Sequence, residues 1–392
     1  MNFCGIICEF NPFHNGHKYI IDQAKEKTGL EIICLMSGNF VQRGTAAIES
    51  KYERAKKAVL CGATAVLELP TIYACSNAEN FAFGSVKILN ALGVTHLAFG
   101  IENTSLETLQ KIAKLKFENS ERFQTAFKNE IQNGINYNTS LKRSIAKNID
   151  DKNIIEILNK PNNILAIEYL TAILKLGSKI KPVAIERCDN GFYSEENYNE
   201  FLSATSIRNK LYNNENIDKY IPKNAKITDF FSKNHINSLN MLQIYKIRQT
   251  SPIILNKLYD YSEGIEYRVE YCVKNYDTFD NMKSAIVTSR YREPRVNKLL
   301  LYPLLNITKK VIEISKKSKP AVKLLAINKN KKGLLRIYNK NKISIIVTNK
   351  DYENLSKTQI EIINVDLNAS DIYQTIINKE SNIDKKTGTL FI

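Results

Sequence analysis

Short apolar runs alternate with amphipathic segments along the first hundred residues of this chain. Four runs are short and apolar enough to predict buried strands, at residues 2–8, 31–36, 64–69 and 94–99. The segments between them predict helices, one from about His14, one at 50–60 and one at 77–92. Ser50 is the expected N-cap of the second helix, and Gly93 is expected to end the third. This order predicts an α/β fold with a Rossmann-like parallel sheet covered on both faces.

The pattern changes after residue 103. Residues 104–160 are rich in lysine and asparagine and are typical of helices without strands, so we predict a helical insertion at 103–160. A helix at 163–176, a strand at 181–187 and a helix capped by Ser203 or Thr205 complete a predicted catalytic domain over residues 1–225. Beyond it the pattern is mostly helical to residue 300 and compatible with short strands in 321–348. We predict a mainly helical, basic C-terminal domain over 226–392.

Composition narrows the class of protein. No run of about 18 apolar residues occurs, and the first residues lack the pattern of a secretory signal, so no membrane association is expected. The seven cysteines form no CxxC pair, and several lie in apolar runs. Buried thiols in a cytoplasmic protein therefore fit better than a disulfide scaffold. Only four histidines occur, and their spacing does not suit zinc.

The net charge of +16 is unevenly distributed. Residues 1–100 carry nine Lys/Arg and eight Asp/Glu, whereas residues 281–350 carry eighteen Lys/Arg and two Asp/Glu. A local excess of this size predicts a polyanion partner. A coding bias toward lysine and asparagine, visible along the whole chain, is the competing explanation.

The most informative segment is NPFHNGH at residues 11–17, between the first predicted strand and helix. A helix N-terminus offers N–H groups and the positive end of its dipole to phosphate, and Gly16 lets a nucleotide approach the backbone. His14 and His17 lie on one helical turn and point in a similar direction. Each can donate a hydrogen bond to phosphate oxygens whose charge grows during attack at phosphorus. The segment predicts a phosphate site, with two capping or surface histidines as the alternative.

This segment resembles the T/HxGH signature of the nucleotidyltransferase superfamily, which class I aminoacyl-tRNA synthetases share. A second element of that superfamily, rich in Ser and Thr and ending in Ile-Arg, is similar to SATSIR at residues 203–208. The resemblance implies that His14, His17, Ser206 and Arg208 are catalytic. The second element would hold the β- and γ-phosphates, which leave as pyrophosphate. By itself it would be only a capped helix start.

A closer resemblance is to the bacterial tRNA(Met) cytidine acetate ligase family. It runs along most of the chain, and its most specific segments are SGNFVQRG at residues 37–44 and PNNIL at 161–165. It implies that acetate attacks the α-phosphate of ATP to give acetyl-adenylate. The wobble cytidine of elongator tRNA(Met) then takes the acetyl group and becomes N4-acetylcytidine. Mg²⁺ is expected to assist pyrophosphate departure, although no carboxylate cluster identifies its ligands.

The resemblance also implies a set of ATP contacts, carried over position by position. They are Ile7, Cys8, Glu9, Phe10, Asn11, Pro12, Phe13, His14, Asn15, Gly16, His17, Lys18, Tyr19, Ile20, Gly100, Asn162, Arg187 and Cys188. The alternatives are that Gly100 forms a simple turn, that Asn162 caps the next helix, and that Arg187 pairs with an acid. Arg43 is expected to bind either acetate or the tRNA. Residues 188–194 lack the histidine that ends the corresponding Gly-rich stretch of the family.

The basic region contains interleaved arginines and one aromatic residue, RYREPRVNK at residues 290–298. Such a segment suits backbone phosphates and base stacking. The predicted tRNA-binding residues are Arg290, Tyr291, Arg292, Arg295 and Lys298, with a solvated charged face as the alternative. Two other functions stay open. One is an adenylyltransferase for a small nucleotide or cofactor precursor, and the other is a non-catalytic RNA-binding protein with a nucleotide pocket.

Overall fold

The computed structural model describes residues 2–118, 125, 128–129, 137–149, 153–187, 200–336 and 341–392. Within these ranges a single sheet carries helices on both faces. Its strands are β1 (Phe3–Cys8), β2 (Glu31–Ser37), β3 (Ala65–Leu69), β4 (His96–Ile101), β5 (Lys181–Glu186), β6 (Ala321–Ile327), β7 (Ser344–Ile346) and β8 (Leu390–Phe391).

The helices follow the strands in the alternating order predicted for the first hundred residues. The described helices are α1 (Asn15–Thr28), α2 (Lys51–Leu60), α3 (Thr71–Ala74), α4 (Ala78–Leu92), α5 (Leu106–Glu118), α6 (Tyr137–Ala146), α7 (Ile154–Ile157), α8 (Pro161–Lys175), α9 (Ala204–Tyr212), α10 (Lys233–Arg248), α11 (Pro252–Leu255), α12 (Ile265–Asn275), α13 (Phe279–Ile286), α14 (Glu293–Leu305), α15 (Lys309–Lys317), α16 (Lys357–Ile376) and α17 (Ile383–Lys386). Short 3₁₀ segments lie at Asp218–Tyr220, Lys223–Ala225, Lys329–Arg336 and Asn349–Asn354. None of these described helices is long and apolar enough to cross a membrane.

The order of strands locates the place where a ligand is expected. The order is β5-β4-β1-β2-β3-β6-β7, with β8 beside β6. Strands β1 to β5 are parallel, and β6 runs antiparallel to β3. Strands β2 and β3 are added in turn on one side of β1, and β4 and β5 are then added on its other side. The direction in which strands are added therefore reverses between β1 and β4. Ligands of open α/β sheets bind at the carboxyl ends beside such a reversal.

The central strands are apolar on both faces because helices cover both sides of the sheet. In β2, Ile32 and Cys34 pack in the cluster that contains residues of α1 and α2. Ile33 and Leu35 alternate with them and pack in the cluster that contains residues of α4 and α8. This alternation places a buried apolar side chain at every position, as expected of a doubly covered parallel strand.

Three predicted helix ends are confirmed. Ser50 Oγ accepts a hydrogen bond from Glu53 N at 3.3 Å at the start of α2. Gly93 ends α4 in the left-handed region, with φ at 82°. Ser203, and not Thr205, caps α9, since its Oγ accepts from the N–H of Ser206 at 3.2 Å. One of the free N–H groups at the start of α2 and one at the start of α9 are therefore satisfied locally by a side chain.

The C-terminal part is mainly helical, as predicted, but it also extends the sheet. Ala326 of the buried strand β6 pairs with Val66 of β3, and Ile327 pairs with Ala65. The sheet thus continues across the predicted division at residue 225, and that division stays a prediction. Where the structure describes the insertion, at residues 103–118, 137–149 and 153–160, it contains helices and no strand.

Candidate active site

The turn between β1 and α1 is anchored on both sides. Phe10 and Phe13 are buried beneath it, with ring centroids 4.8 Å apart in an edge-on arrangement. Asn11 Oδ1 accepts a hydrogen bond from Ile48 N at 2.7 Å. These contacts join the turn to the core and to the loop that precedes α2, so the first residues of α1 have a defined position.

The two histidines of this turn lie against each other. His14 caps α1, and its Nδ1 accepts from Gly16 N at 3.1 Å. His17 Nδ1 accepts from His14 N at 3.3 Å, and the ring centroids are 3.7 Å apart. A neutral imidazole whose Nδ1 accepts a hydrogen bond carries its proton on Nε2. The Nε2–H groups are therefore the ones that can donate to a phosphate oxygen.

The surroundings of the two rings keep His17 uncharged. A Cβ at position 16 would lie 2.9 Å from His14 Cε1, so the glycine leaves room for the His14 ring over the turn. Burial, and then the positive charges of His14 and Arg187, hold the pKa of His17 well below its usual range. His17 is therefore a neutral hydrogen-bond donor near pH 7, so its ring adds no buried positive charge to the site.

The second predicted motif meets the first, although the two contacting residues are 197 positions apart in the chain. Arg208 Nη1 donates to the carbonyl oxygen of Asn11 at 2.6 Å, and Nη2 donates to Thr205 Oγ1 at 3.1 Å. Ser206 lies in the first turn of α9, with its Oγ 2.9 Å from Ser203 Oγ. The starts of α1 and α9 are thus held side by side, and each provides the N-terminal N–H groups that bind anions.

Glu9 lies between the turn after β1 and the loop after β2. Its Oε1 accepts a hydrogen bond from Gln42 N at 2.9 Å. Burial raises the pKa of Glu9, although the guanidinium groups of Arg208, Arg54 and Arg43 oppose this rise. Arg43 and Arg208 are therefore brought toward the same carboxylate. Three guanidinium groups around one carboxylate leave an excess of positive charge, which suits anionic substrates.

The edge formed by β4 and β5 faces the same site. A Cβ on Gly100 would lie 3.3 Å from Arg187 Cγ and 3.9 Å from Ile20 Cδ1, so the glycine permits close packing of these side chains. Arg187 is also near enough to His17 to lower its pKa. Gly100, Arg187 and the start of α1 are therefore brought together, as expected. Cys188 lies outside the described residues.

Asn162 does not cap the following helix. That helix, α8, begins at Pro161, two residues earlier than predicted. Asn162 Nδ2 donates a close hydrogen bond to Glu102 Oε1, and the neighbouring Asn163 Oδ1 accepts from Glu102 N at 2.9 Å. The two asparagines hold the chain that leaves β4, so Asn162 lies beyond the carboxyl end of that strand.

Arg54 is a residue whose role the sequence did not reveal. Its side chain is fully buried under the site. Its guanidinium donates to the carbonyl oxygens of Glu9 (2.6 Å), Ser37 (3.1 Å), Glu49 (2.9 Å) and Gly38. It ties the loops after β1 and β2 to the start of α2. In α2, Lys51 and Lys57 lie three residues before and three residues after Arg54. Cations at this spacing are also typical of a solvated helix face, so the sequence does not indicate that Arg54 is buried.

A second buried charged group supports the loop after β2. Lys51 Nζ lies 2.7 Å from both Glu68 Oε2 and Asp384 Oδ2. Burial raises the pKa of Asp384, but the ammonium groups of Lys51 and Lys323 outweigh this and lower it to about 2. A Cβ on Gly38 would lie 2.4 Å from Glu68 Oε1, so the loop packs directly on this group. Residues of α2, β3, β6 and α17 meet here, a long-range arrangement without a local sequence signal.

The predicted tRNA-binding residues divide between surface and interior. Arg290 and Arg292 are exposed. Tyr291 is buried, and Lys298 is buried with its Nζ donating to the carbonyl oxygen of Ser76 at 3.2 Å. Arg295 binds the carboxylate of Asp260 through Nε at 2.9 Å and Nη2 at 3.0 Å. Of the five, only Arg290 and Arg292 are thus exposed, and the roles of all five stay predictions.

The described side chains suit a nucleotide better than a resident metal ion. Among the described residues, no group of three or more His, Cys, Asp or Glu side chains could hold a metal ion. Two helix N-termini, the Nε2–H donors of His14 and His17, and several guanidinium groups lie at the carboxyl ends of parallel strands. The fold and the site define an α/β protein that binds the phosphates of a nucleotide.

Comparisons with known proteins agree with this class. Residues 1–388 match the family described as HIGH Nucleotidyl Transferase. A tRNA(Met) cytidine acetate ligase of Thermoanaerobacter sp. is 37% identical over 395 residues, covering 98% of this chain and 97% of its own. One of Clostridium perfringens is 33% identical over 387 residues, covering 95% of each chain. The crystal structure of Thermotoga maritima TmcAL bound with alpha-thio ATP superposes with a TM-score of 0.89, 25% identity and full coverage of both chains.

The chain therefore belongs to the HIGH nucleotidyltransferases and, among them, to the tRNA(Met) cytidine acetate ligase family. The predicted family and fold class are confirmed.

Proposed function

We propose that this chain is an ATP-dependent ligase. It activates acetate as acetyl-adenylate and transfers the acetyl group to the wobble cytidine of elongator tRNA(Met), forming N4-acetylcytidine. The observation that carries the proposal is the contact between the two phosphate-binding helix starts, Arg208 Nη1 to the Asn11 carbonyl oxygen at 2.6 Å. Relatives with this activity in their names match nearly the whole chain, which supports the assignment of the reaction.

In the first step an acetate oxygen attacks the α-phosphorus of ATP, and the bond between that phosphorus and the α–β bridging oxygen breaks. His14 and His17 donate through Nε2–H to phosphate oxygens whose charge grows during this attack. Ser206, Arg208 and the N-terminal N–H groups of α9 stabilise the departing pyrophosphate. Arg43, close to Glu9 and Arg208, is proposed to bind the acetate carboxylate. Mg²⁺ would be held by the phosphates and water with few protein carboxylates.

In the second step the exocyclic amine of the cytidine attacks the acetyl carbonyl carbon. The bond between the acetyl carbon and the phosphate oxygen breaks, AMP leaves with the electron pair, and the amine nitrogen loses one proton to solvent. Holding the amine against a reactive mixed anhydride supplies much of the rate of such a transfer. The protein's main task in this step is therefore to place the wobble nucleotide over the start of α1.

The tRNA is proposed to bind through the C-terminal part, residues 226–392. Residues 281–350 carry eighteen Lys/Arg against two Asp/Glu, and Arg290 and Arg292 are exposed. Binding through phosphates releases counterions, so the affinity for tRNA should fall steeply with salt. An affinity that does not change between low and physiological salt would contradict this surface.

The deciding experiment combines ATP, ¹⁴C-acetate and an elongator tRNA(Met) transcript. Acetylated tRNA, with N4-acetylcytidine found by mass analysis of its nucleosides, supports the proposal. A labelled small nucleotide would indicate an adenylyltransferase, and binding without turnover would indicate a non-catalytic protein. Acetate-dependent exchange of pyrophosphate into ATP, measured without tRNA, reports the first step alone. Replacement of both His14 and His17 by Ala is the matched inactive control.

A further inference from the structure

Helix α12 carries two tyrosines on its solvent side. Tyr267 and Tyr271 are four residues apart, so they lie on the same face, and each is 63% exposed. The opposite face is buried through Val269, Cys272 and Val273. Within the described part of the chain, neither tyrosine ring packs against another aromatic ring or a cation. Large aromatic side chains that remain in water as a pair indicate an interaction surface.

The start of this helix contacts one of the exposed arginines. Arg290 Nη2 lies 2.5 Å from Oε2 of Glu263, which lies two residues before α12. Arg268, next to Tyr267 in α12, donates to the carbonyl oxygen of Ala285. The ion pair between Arg290 and Glu263 is more than half exposed on both sides, so it stabilises the fold little. A phosphate group can therefore compete with Glu263 for Arg290.

A further cation reaches this surface from the helical insertion. Lys142 of α6 donates to Asn159 Oδ1 at 2.7 Å. Burial, and then the charge of Arg292, lower the pKa of Lys142. Two cations from parts of the chain 150 positions apart are therefore close enough to repel each other. An anion bound between them would relieve this repulsion, whereas an apolar protein partner would bury both charges at a cost.

We propose that the surface formed by Tyr267, Tyr271, Arg290 and Arg292, the tyrosine–arginine face, binds unpaired nucleotides of the tRNA. The bases stack on the two tyrosine rings, and the phosphates lie along the arginines. Flat rings beside guanidinium groups are the combination that single-stranded nucleic acid recognises. The identification of the RNA as this tRNA rests on the proposed function, whereas the stacking of bases on the tyrosines does not.

The test compares two double variants that differ only in ring character. Y267F/Y271F keeps both rings, whereas Y267L/Y271L keeps apolar bulk without a flat face. Loss of base stacking should weaken the Kd for an elongator tRNA(Met) transcript by roughly five-fold or more for each ring. We expect the Phe variant to stay within about two-fold of the wild type and the Leu variant to bind at least about twenty-five-fold more weakly. Equal affinities in the Leu and Phe variants would overturn the proposal.

Acetate-dependent exchange of pyrophosphate into ATP separates this proposal from the proposed function. It needs no tRNA, so it should be the same in the wild type and both double variants. No exchange in the wild type would reject the proposed ligase, while the RNA affinities would still test the stacking. Exchange lost in the Leu variant alone would show damage to the catalytic site and overturn the assignment of this surface.

A fluorescence reporter supplies direct evidence of stacking. The chain contains no tryptophan, so Tyr271→Trp introduces a single indole. Its emission should be quenched by the tRNA and by a single-stranded oligonucleotide, but not by duplex RNA of the same length. Equal quenching by the duplex would contradict binding of unpaired bases. Sedimentation of the wild type tests for a second copy at this face, and a dimer lost in Y267L/Y271L would also overturn the proposal.

Discussion

Replacement of Arg54 by Met removes the buried guanidinium that holds the two loops of the active site. Four carbonyl oxygens lose their donor, and each such loss costs about 1–3 kcal/mol when water cannot reach the oxygen. Part of this cost is offset, because burying the guanidinium is itself unfavourable and lowers the pKa of Arg54. Removal of one member of a buried polar network typically costs about 3–5 kcal/mol, and we expect that range here.

Urea unfolding measures the loss directly, and ATP titration in buffer without urea measures its effect on the site. ATP binding should weaken together with stability, because two of the four carbonyls, those of Glu9 and Ser37, belong to the ends of the strands that form the site. Lys56→Met, on the exposed face of the same helix, is the control and should change stability by less than about 0.5 kcal/mol. An Arg54→Met variant within about 1 kcal/mol of the wild type would refute the reasoning.

Three further predictions concern the site and its supports. His17→Ala should lower acetate-dependent ATP–pyrophosphate exchange by about 100- to 1000-fold and leave the affinity for tRNA unchanged. Equal losses of exchange and of tRNA affinity would argue against a role of His17 in adenylation. Gly44→Ala should destabilise the protein by about 2 kcal/mol or more, seen as a lower Tm, because φ is +73° and the new Cβ would lie 2.7 Å from Lys298 N. Burial, with the charge of Glu68, raises the pKa of Asp366 from 3.8 to about 8, so between these values the folded protein keeps a proton that the unfolded chain releases. Stability should therefore fall as pH rises from about 4 to about 8, and Asp366→Asn should flatten this slope in unfolding experiments at pH 5 and pH 8.

The residues of the first motif are predictable from the sequence because their chemistry is local. A short strand, a glycine and two histidines three apart define a helix start whatever surrounds them. Ser203 and Thr205 are both predicted caps for the same reason, and the structure shows that Ser203 is the one whose hydroxyl binds an N–H three residues further on. Strands β1 to β4 carry their apolar pattern within five to seven residues. Such features depend on neighbours in sequence, so the sequence determines them by itself.

The tertiary structure alone decided which charged side chains are buried. Lys51 and Arg54 occupy positions that a solvated face of α2 could share, and Lys298 and Tyr291 were expected at the surface. Their burial depends on partners far along the chain, such as Asp384 for Lys51. The placement of β6 beside β3 likewise depends on a contact across more than 250 positions. The sequence by itself thus determined the nucleotide-binding turn and the α/β class, while only long-range packing decided what supports that turn and which cations remain for RNA.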